Sequence, residues 1–175
     1  MRFEWKVGKN FSMKTIKSFA IIFTTVLFLT TTTSISAQEF DKSVYYSHLS
    51  TKDIDVLNKE LNTVKRLPLP QRNAYEGALL AKKAGLASGP MEKLNLFKSG
   101  KKKLENAIKT DNQNPEFRFL RLIIQENSPK IVEYKGEIKE DSEFVKKNFN
   151  SLPDSLKKVI SDYSKNSKVL KPDDF

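Results

Sequence analysis

The sequence predicts an all-α protein, a small bundle of five or six helices preceded by a signal peptide. Three observations carry that prediction. Apolar residues recur at helical spacing from Ile54 to Tyr163. Prolines, glycines and short polar residues interrupt the pattern where helices would start and stop. Phe19 to Leu29 is an uncharged apolar run behind Lys14 and Lys17, set apart from everything that follows.

That run and the small-residue ending Ser34-Ile35-Ser36-Ala37-Gln38 have the layout of a secretory signal peptide over residues 1–37, cut after Ala37. The alternative is a retained membrane anchor at about 18–37. Its apolar heart is short of the roughly 20 residues a spanning helix needs, unless the threonines behind it extend the span. Met13-Lys14-Thr15-Ile16-Lys17 makes an ordinary opening by itself. Translation is therefore expected to begin at Met13, leaving Phe3, Glu4 and Trp5 upstream of it. Cysteine is absent, which excludes a disulfide, a thiol nucleophile, a thiolate metal site and a lipidated cysteine. The whole chain carries +10; without residues 1–37 the balance is 26 basic against 20 acidic side chains, or +6. The 138 residues left of 175 suffice for a real core.

Residues 38–49, with Phe40, Val44, Tyr45, Tyr46 and Leu49 among polar neighbours, read as a docking segment or a frayed first helix. A helical domain then spans 50–165. Ser50-Thr51-Lys52-Asp53 has the Ser-x-x-acid form of a capping box. Ile54, Leu57, Leu61 and Val64 follow at helical spacing until Leu67-Pro68-Leu69-Pro70 stops them. Pro70 suits the first turn of the next helix, Gln71 to about Ala84. There Ala74, Gly77, Ala78, Ala81 and Ala84 form a face of small residues that lets a neighbour approach closely. Gly85 is its expected stop, and Gly89-Pro90 a turn. A third helix, about Met91 to Thr110, carries Leu94, Phe97, Leu104, Ala107 and Ile108, with Lys98, Lys101, Lys102, Lys103 and Lys109 on its opposite side.

Pro115 to Asn127 is the expected centre of the fold. Phe117, Phe119, Leu120, Leu122, Ile123 and Ile124 cover well over half of its circumference, so other helices must enclose it. Asn114 is its N-cap, Pro115 fits its first turn, and Pro129 ends it. Arg118, Arg121 and Gln125 share the strip that remains. Ile131 to Gly136 is expected to be a turn, since six residues without a partner make no sheet. Asp141 or Ser142 caps a fifth helix bearing Phe144, Val145 and Phe149. Ser151-Leu152-Pro153-Asp154 opens the last, lined by Leu156, Val159, Ile160 and Tyr163. Residues 166–175 read as a loose tail.

The pattern Gly100-x3-Leu104-x2-Ala107-Ile108-x2-Asp111-Asn112-x-Asn114 resembles the second helix of a tetratricopeptide repeat and its exit loop. The alanine-rich helix before it looks like a first helix of such a repeat. In that family the loop usually reads Asp-Pro-x-Asn, and here Asn112 stands at the proline's place. The loop from Gly85 to Pro90 and the long third helix break the 34-residue period, so the likeness covers about residues 71–114. It implies a helical hairpin that binds a protein or peptide and does no chemistry of its own. One such unit does not form the extended groove of a stack.

Patterns that carry catalysis are missing. There is no glycine-rich phosphate loop, no His-x3-His spacing and no nucleophile elbow. His48 stands alone, and Glu140-Asp141 and Asp173-Asp174 read as caps or tail. The expectation is a protein that is not an enzyme and holds no cofactor or metal. Two features remain. The strip of Arg118, Arg121 and Gln125 either lines a cleft for carboxylate or phosphate or pairs with acids of neighbouring helices. Glu76 and Asp141 are the candidates, with Glu76 expected to meet Arg121. The lysine face is either solvated surface or a patch drawn to anionic surfaces. Nucleic acid is not expected, because the lysines lack interleaved aromatics. The functional expectation is an exported interaction or structural protein of the cell envelope with a protein or peptide partner. The alternative is a basic protein held at anionic envelope surfaces, and a third is an envelope hydrolase whose acids the sequence does not disclose.

Overall fold

A computed structural model describes residues 40–175; the expected signal peptide, the start at Met13 and the anchor at about 18–37 lie outside the described residues. Among the described residues there are seven α-helices and no strand. They are α1 (Lys42–Ser50), α2 (Ile54–Val64), α3 (Gln71–Leu86), α4 (Pro90–Thr110), α5 (Pro115–Asn127), α6 (Ile138–Asn148) and α7 (Asp154–Ser164). Short 3-10 turns stand at Lys130–Val132, Phe149–Ser151 and Pro172–Asp174.

The central helix forms for the reasons its sequence suggests. Asn114 accepts hydrogen bonds from the Glu116 and Phe117 amides, and Pro115 occupies the first turn. Packed against α3, α4 and α6, α5 buries Phe117, Phe119, Leu120 and Leu122 to 1% exposure or less. Each such side chain contributes about 1.5–3 kcal/mol. Around them every helix supplies core: Tyr45, Leu57, Leu79, Leu104, Val145, Leu156 and Ile160 are all fully buried or within 1% of it.

α3 and α4 make the most extensive pairing, an antiparallel hairpin closed by the short loop after Leu86. The face of small residues on α3 is what α4 packs against. A Cβ added to Gly77 would stand 2.7 Å from the Leu104 nitrogen, and one added to Gly100 would stand 2.6 Å from the Gly77 carbonyl oxygen. Here the two backbones touch.

Several expectations are corrected. Seven helices replace five or six, because the segment around Tyr45 is a full helix. Asp41 caps it, accepting from the Ser43 and Val44 amides, and Tyr45, Tyr46 and Leu49 go into the core. Ser50 ends that helix; the cap of α2 is Asp53, which accepts from the Asp55 and Val56 amides. α3 runs through Gly85 to Leu86. α6 begins at Ile138, so Asp141 and Ser142 are buried in it rather than capping it. Ser151 donates to the Asn148 carbonyl and caps nothing.

The loose tail is also corrected. Leu170 is fully buried, and Ser167 anchors the turn before it by accepting from the Leu170 amide at 3.0 Å. Glu126 of α5 receives the Tyr163 and Ser167 hydroxyls at 2.8 Å each, and the Lys168 amide besides. Lys146 meets Asp174 at 3.0 Å, and the rings of Phe149 and Phe175 lie 4.4 Å apart.

Candidate functional site

Arg118, Arg121 and Gln125 project together from α5, toward α6 rather than toward α3. Arg121, 5% exposed, grips the fully buried Asp141 with two nitrogens, Nε at 2.6 Å and Nη2 at 2.8 Å. Its Nη1 reaches Glu105 of α4 at 3.0 Å. All three guanidinium nitrogens are thus used. Burial pulls its pKa down, but hydrogen bonding to Asp141 and the charges of Asp141 and Glu105 more than reverse that, so it stays charged. Arg118 donates to Asp141 at 3.0 Å and Glu140 at 2.7 Å, and lies over the Phe144 ring. Gln125 donates to Glu137 at 2.5 Å.

The expected pairing of Arg121 with Glu76 is therefore corrected: the partner is Asp141, and Glu76 pairs with Lys103 at 2.7 Å. Two physical reasons account for it. Glu76 adjoins Gly77, where α3 meets α4, which turns it toward a lysine of α4. Asp141 lies in the first turn of α6, where the helix dipole favours a carboxylate. Sequence reasoning missed Glu105, Glu137 and Tyr134, whose hydroxyl donates to Glu105. No local signal marks them, since their roles depend on how three helices are rotated. With every guanidinium nitrogen of Arg121 occupied, the strip is a cross-brace between α4, α5 and α6.

A second buried carboxylate escaped the sequence altogether. Glu116, 5% exposed, accepts from Tyr75 at 2.9 Å, Tyr46 at 3.3 Å and Lys42 at 2.5 Å. Burial first, and the charge of Glu116 next, push both phenols above their ordinary pKa. They remain protonated donors that secure α1 to α3 and α5. His48 is likewise spoken for, 2.6 Å from the buried Glu60. The lysine face is mixed. Lys98, Lys102 and Lys109 are exposed, Lys103 pairs with Glu76, and the Lys101 ammonium lies 4.6 Å over the Tyr134 ring.

A concave surface adjoins the Glu116 brace through Tyr46, a groove of about 610 Å³ between α1, α5 and α7. Its floor is Tyr46, Leu49, Phe119, Ile123, Val159 and Tyr163. Serines of α1, Asn127, Lys82 and Lys158 form the rim. Burial, and then the nearby charge of Lys52, draw the Lys82 pKa below the usual lysine value. Asp162, also on the rim, is held 2.7 Å from Lys165, which keeps its carboxyl below the usual range. Among the described residues no three His, Asp or Glu side chains stand close enough to hold a metal ion, and no helix is long and apolar enough to cross a membrane.

The geometry defines a class, an all-α domain with a lateral groove between α1, α5 and α7. No protein-family model, curated protein or solved structure matches the chain.

Proposed function

We propose that the protein is an exported, non-catalytic interaction module of the cell envelope that receives a short peptide segment of a partner protein between α1, α5 and α7. The groove is the observation that carries this reading. Its volume and apolar floor suit one or two large side chains, and its rim supplies the few polar groups that fix orientation. Lys82 and Lys158 outweigh an Asp162 already paired with Lys165, so the favoured segment is apolar and acidic. The buried carboxylates Asp141 and Glu116 are held in braces outside the groove's lining, which argues for recognition over catalysis. Export rests on the leader-like residues 1–37, and the tetratricopeptide-like residues of α3 and α4 support a role of the same class.

Fluorescence polarisation with short labelled peptides tests the proposal. An apolar–acidic peptide should bind, an apolar–basic peptide of equal length should not, and Val159→Arg or Lys158→Glu should weaken binding by about tenfold, near 1.4 kcal/mol. Binding that ignores peptide charge and both substitutions, or no binding by any peptide, would overturn it.

A further inference from the structure

Ile131 is 89% exposed, more than any other large apolar side chain among the described residues. It sits in the 3-10 turn Lys130–Val132, between the exposed Lys130 and Lys135. The turn is held rather than loose. Glu133 takes a left-handed backbone, φ 45°, uncommon for a residue with a side chain, and ends the 3-10 turn. Tyr134, 3% exposed, then pins the turn to α4: its ring meets Phe97 edge-on at 5.8 Å, and Lys101 lies over its face. Ile131 is thereby held in water on a turn that packs against α4. On α4 itself Met91 and Leu94 are 69% and 41% exposed, and Lys98, Lys102 and Lys109 continue their stripe at helical spacing.

We propose that this face, Ile131, Met91 and Leu94 set among Lys98, Lys102 and Lys130, docks on an anionic phospholipid bilayer. A soluble polyanion would neutralise the lysines and leave three apolar side chains wet. A bilayer takes both: the apolar tips enter between headgroups, and the lysines lay their alkyl stems along the boundary with their ammonium ends at the phosphates. Little opposes the approach. Glu105, on the stripe between Lys102 and Lys109, is engaged by Arg121 and Tyr134, Glu92 stands about 100° round α4 from Met91, and Glu133 is the one exposed acid on the turn. No residue of α4 lines the groove between α1, α5 and α7, so this surface does not depend on the peptide reading.

Vesicle co-sedimentation tests it. Residues 40–175, a compact unit with a core of its own, replace the full chain because the apolar run Phe19 to Leu29 would enter vesicles by itself. The unit should bind phosphatidylcholine vesicles containing about one-third phosphatidylglycerol and ignore pure phosphatidylcholine. Ile131→Glu should weaken binding about tenfold or more, the loss expected when a buried isoleucine is withdrawn. Lys98→Glu with Lys102→Glu should weaken it at least about 25-fold, at about fivefold per lysine. Leu69→Glu, at an exposed leucine of another loop, should change nothing. All four are surface changes, and circular dichroism checks that each variant folds. Absent binding, equal binding to neutral vesicles, or full binding by Ile131→Glu would overturn the proposal; the last, with the lysine variant inactive, would reduce the contact to charge alone with no apolar insertion.

Discussion

At the crossing of α3 and α4 the backbones touch, because Gly77 and Gly100 present nothing but hydrogen to one another. Between α5 and α6 the buried Asp141 stands instead, gripped by two guanidiniums. Both contacts hold a helix to its neighbour in sequence, yet they fail in different ways. The first is dry and steric, and any added atom disturbs it. The second is ionic, and its members are costly to bury singly but tolerable together. A contact's contribution is thus poorly measured by deleting half of it, and the two seams should separate cleanly under substitution.

The largest effect is expected in the ionic seam. Arg121→Ala leaves Asp141 buried beside Arg118 alone and should destabilise by about 3–5 kcal/mol in denaturant unfolding. Arg121→Met combined with Asp141→Leu should recover most of that loss, since an apolar pair of similar volume is often neutral. A double variant no better than the single would show that the ions themselves hold the seam.

The steric seam should respond next. Gly100→Ala gains about 0.5–1 kcal/mol of helix preference but forces a methyl against backbone atoms 2.6 and 2.7 Å away. Overpacking costs about 1–3 kcal/mol, so a net loss is expected. Gly85→Ala, with nothing within 4 Å of the new Cβ, should instead gain up to about 0.5–1 kcal/mol. Equal responses at the two glycines would show that the α3–α4 crossing is not sterically limited.

The smallest effect is spectroscopic. The dry seam holds no tyrosine, whereas all five tyrosines line polar braces, and burial, with carboxylates nearby, raises each above its ordinary value of 10.0. A raised folded pKa contributes stability that is whole below pH 10 and is lost as pH climbs past it. Phenolate absorbance should therefore stay silent near pH 11 while the helices persist, then appear together with unfolding. Its growth at intact helicity would contradict this picture.

The steric seam was legible in the sequence because small residues at helical spacing describe a face directly. So was the enclosure of α5, since Phe117, Phe119, Leu120 and Leu122 leave so little polar surface. The ionic partner was not. Whether Arg121 meets Glu76 or Asp141 depends on the rotation of α5 against α3 and α6, which no single helix encodes. Leu170 was missed because one apolar residue in a polar run has no periodicity to reveal it. The groove was missed because its floor is assembled from α1, α5 and α7, far apart along the chain.

That assembly has a bearing on time. α3 and α4 touch across a short loop, whereas α1 meets α7 only across the long stretch of chain between Ser50 and Asp154. Closing a loop costs entropy that grows with its length, and distant pairings form late. The hairpin should therefore be the early event and the α1–α7 edge the late one. Amide hydrogens of α1 should exchange with solvent well before those at the Gly77–Gly100 crossing; the reverse order would refute the sequence of events. The groove proposed to receive a peptide is then expected to be the last part of the molecule built and the first to come undone.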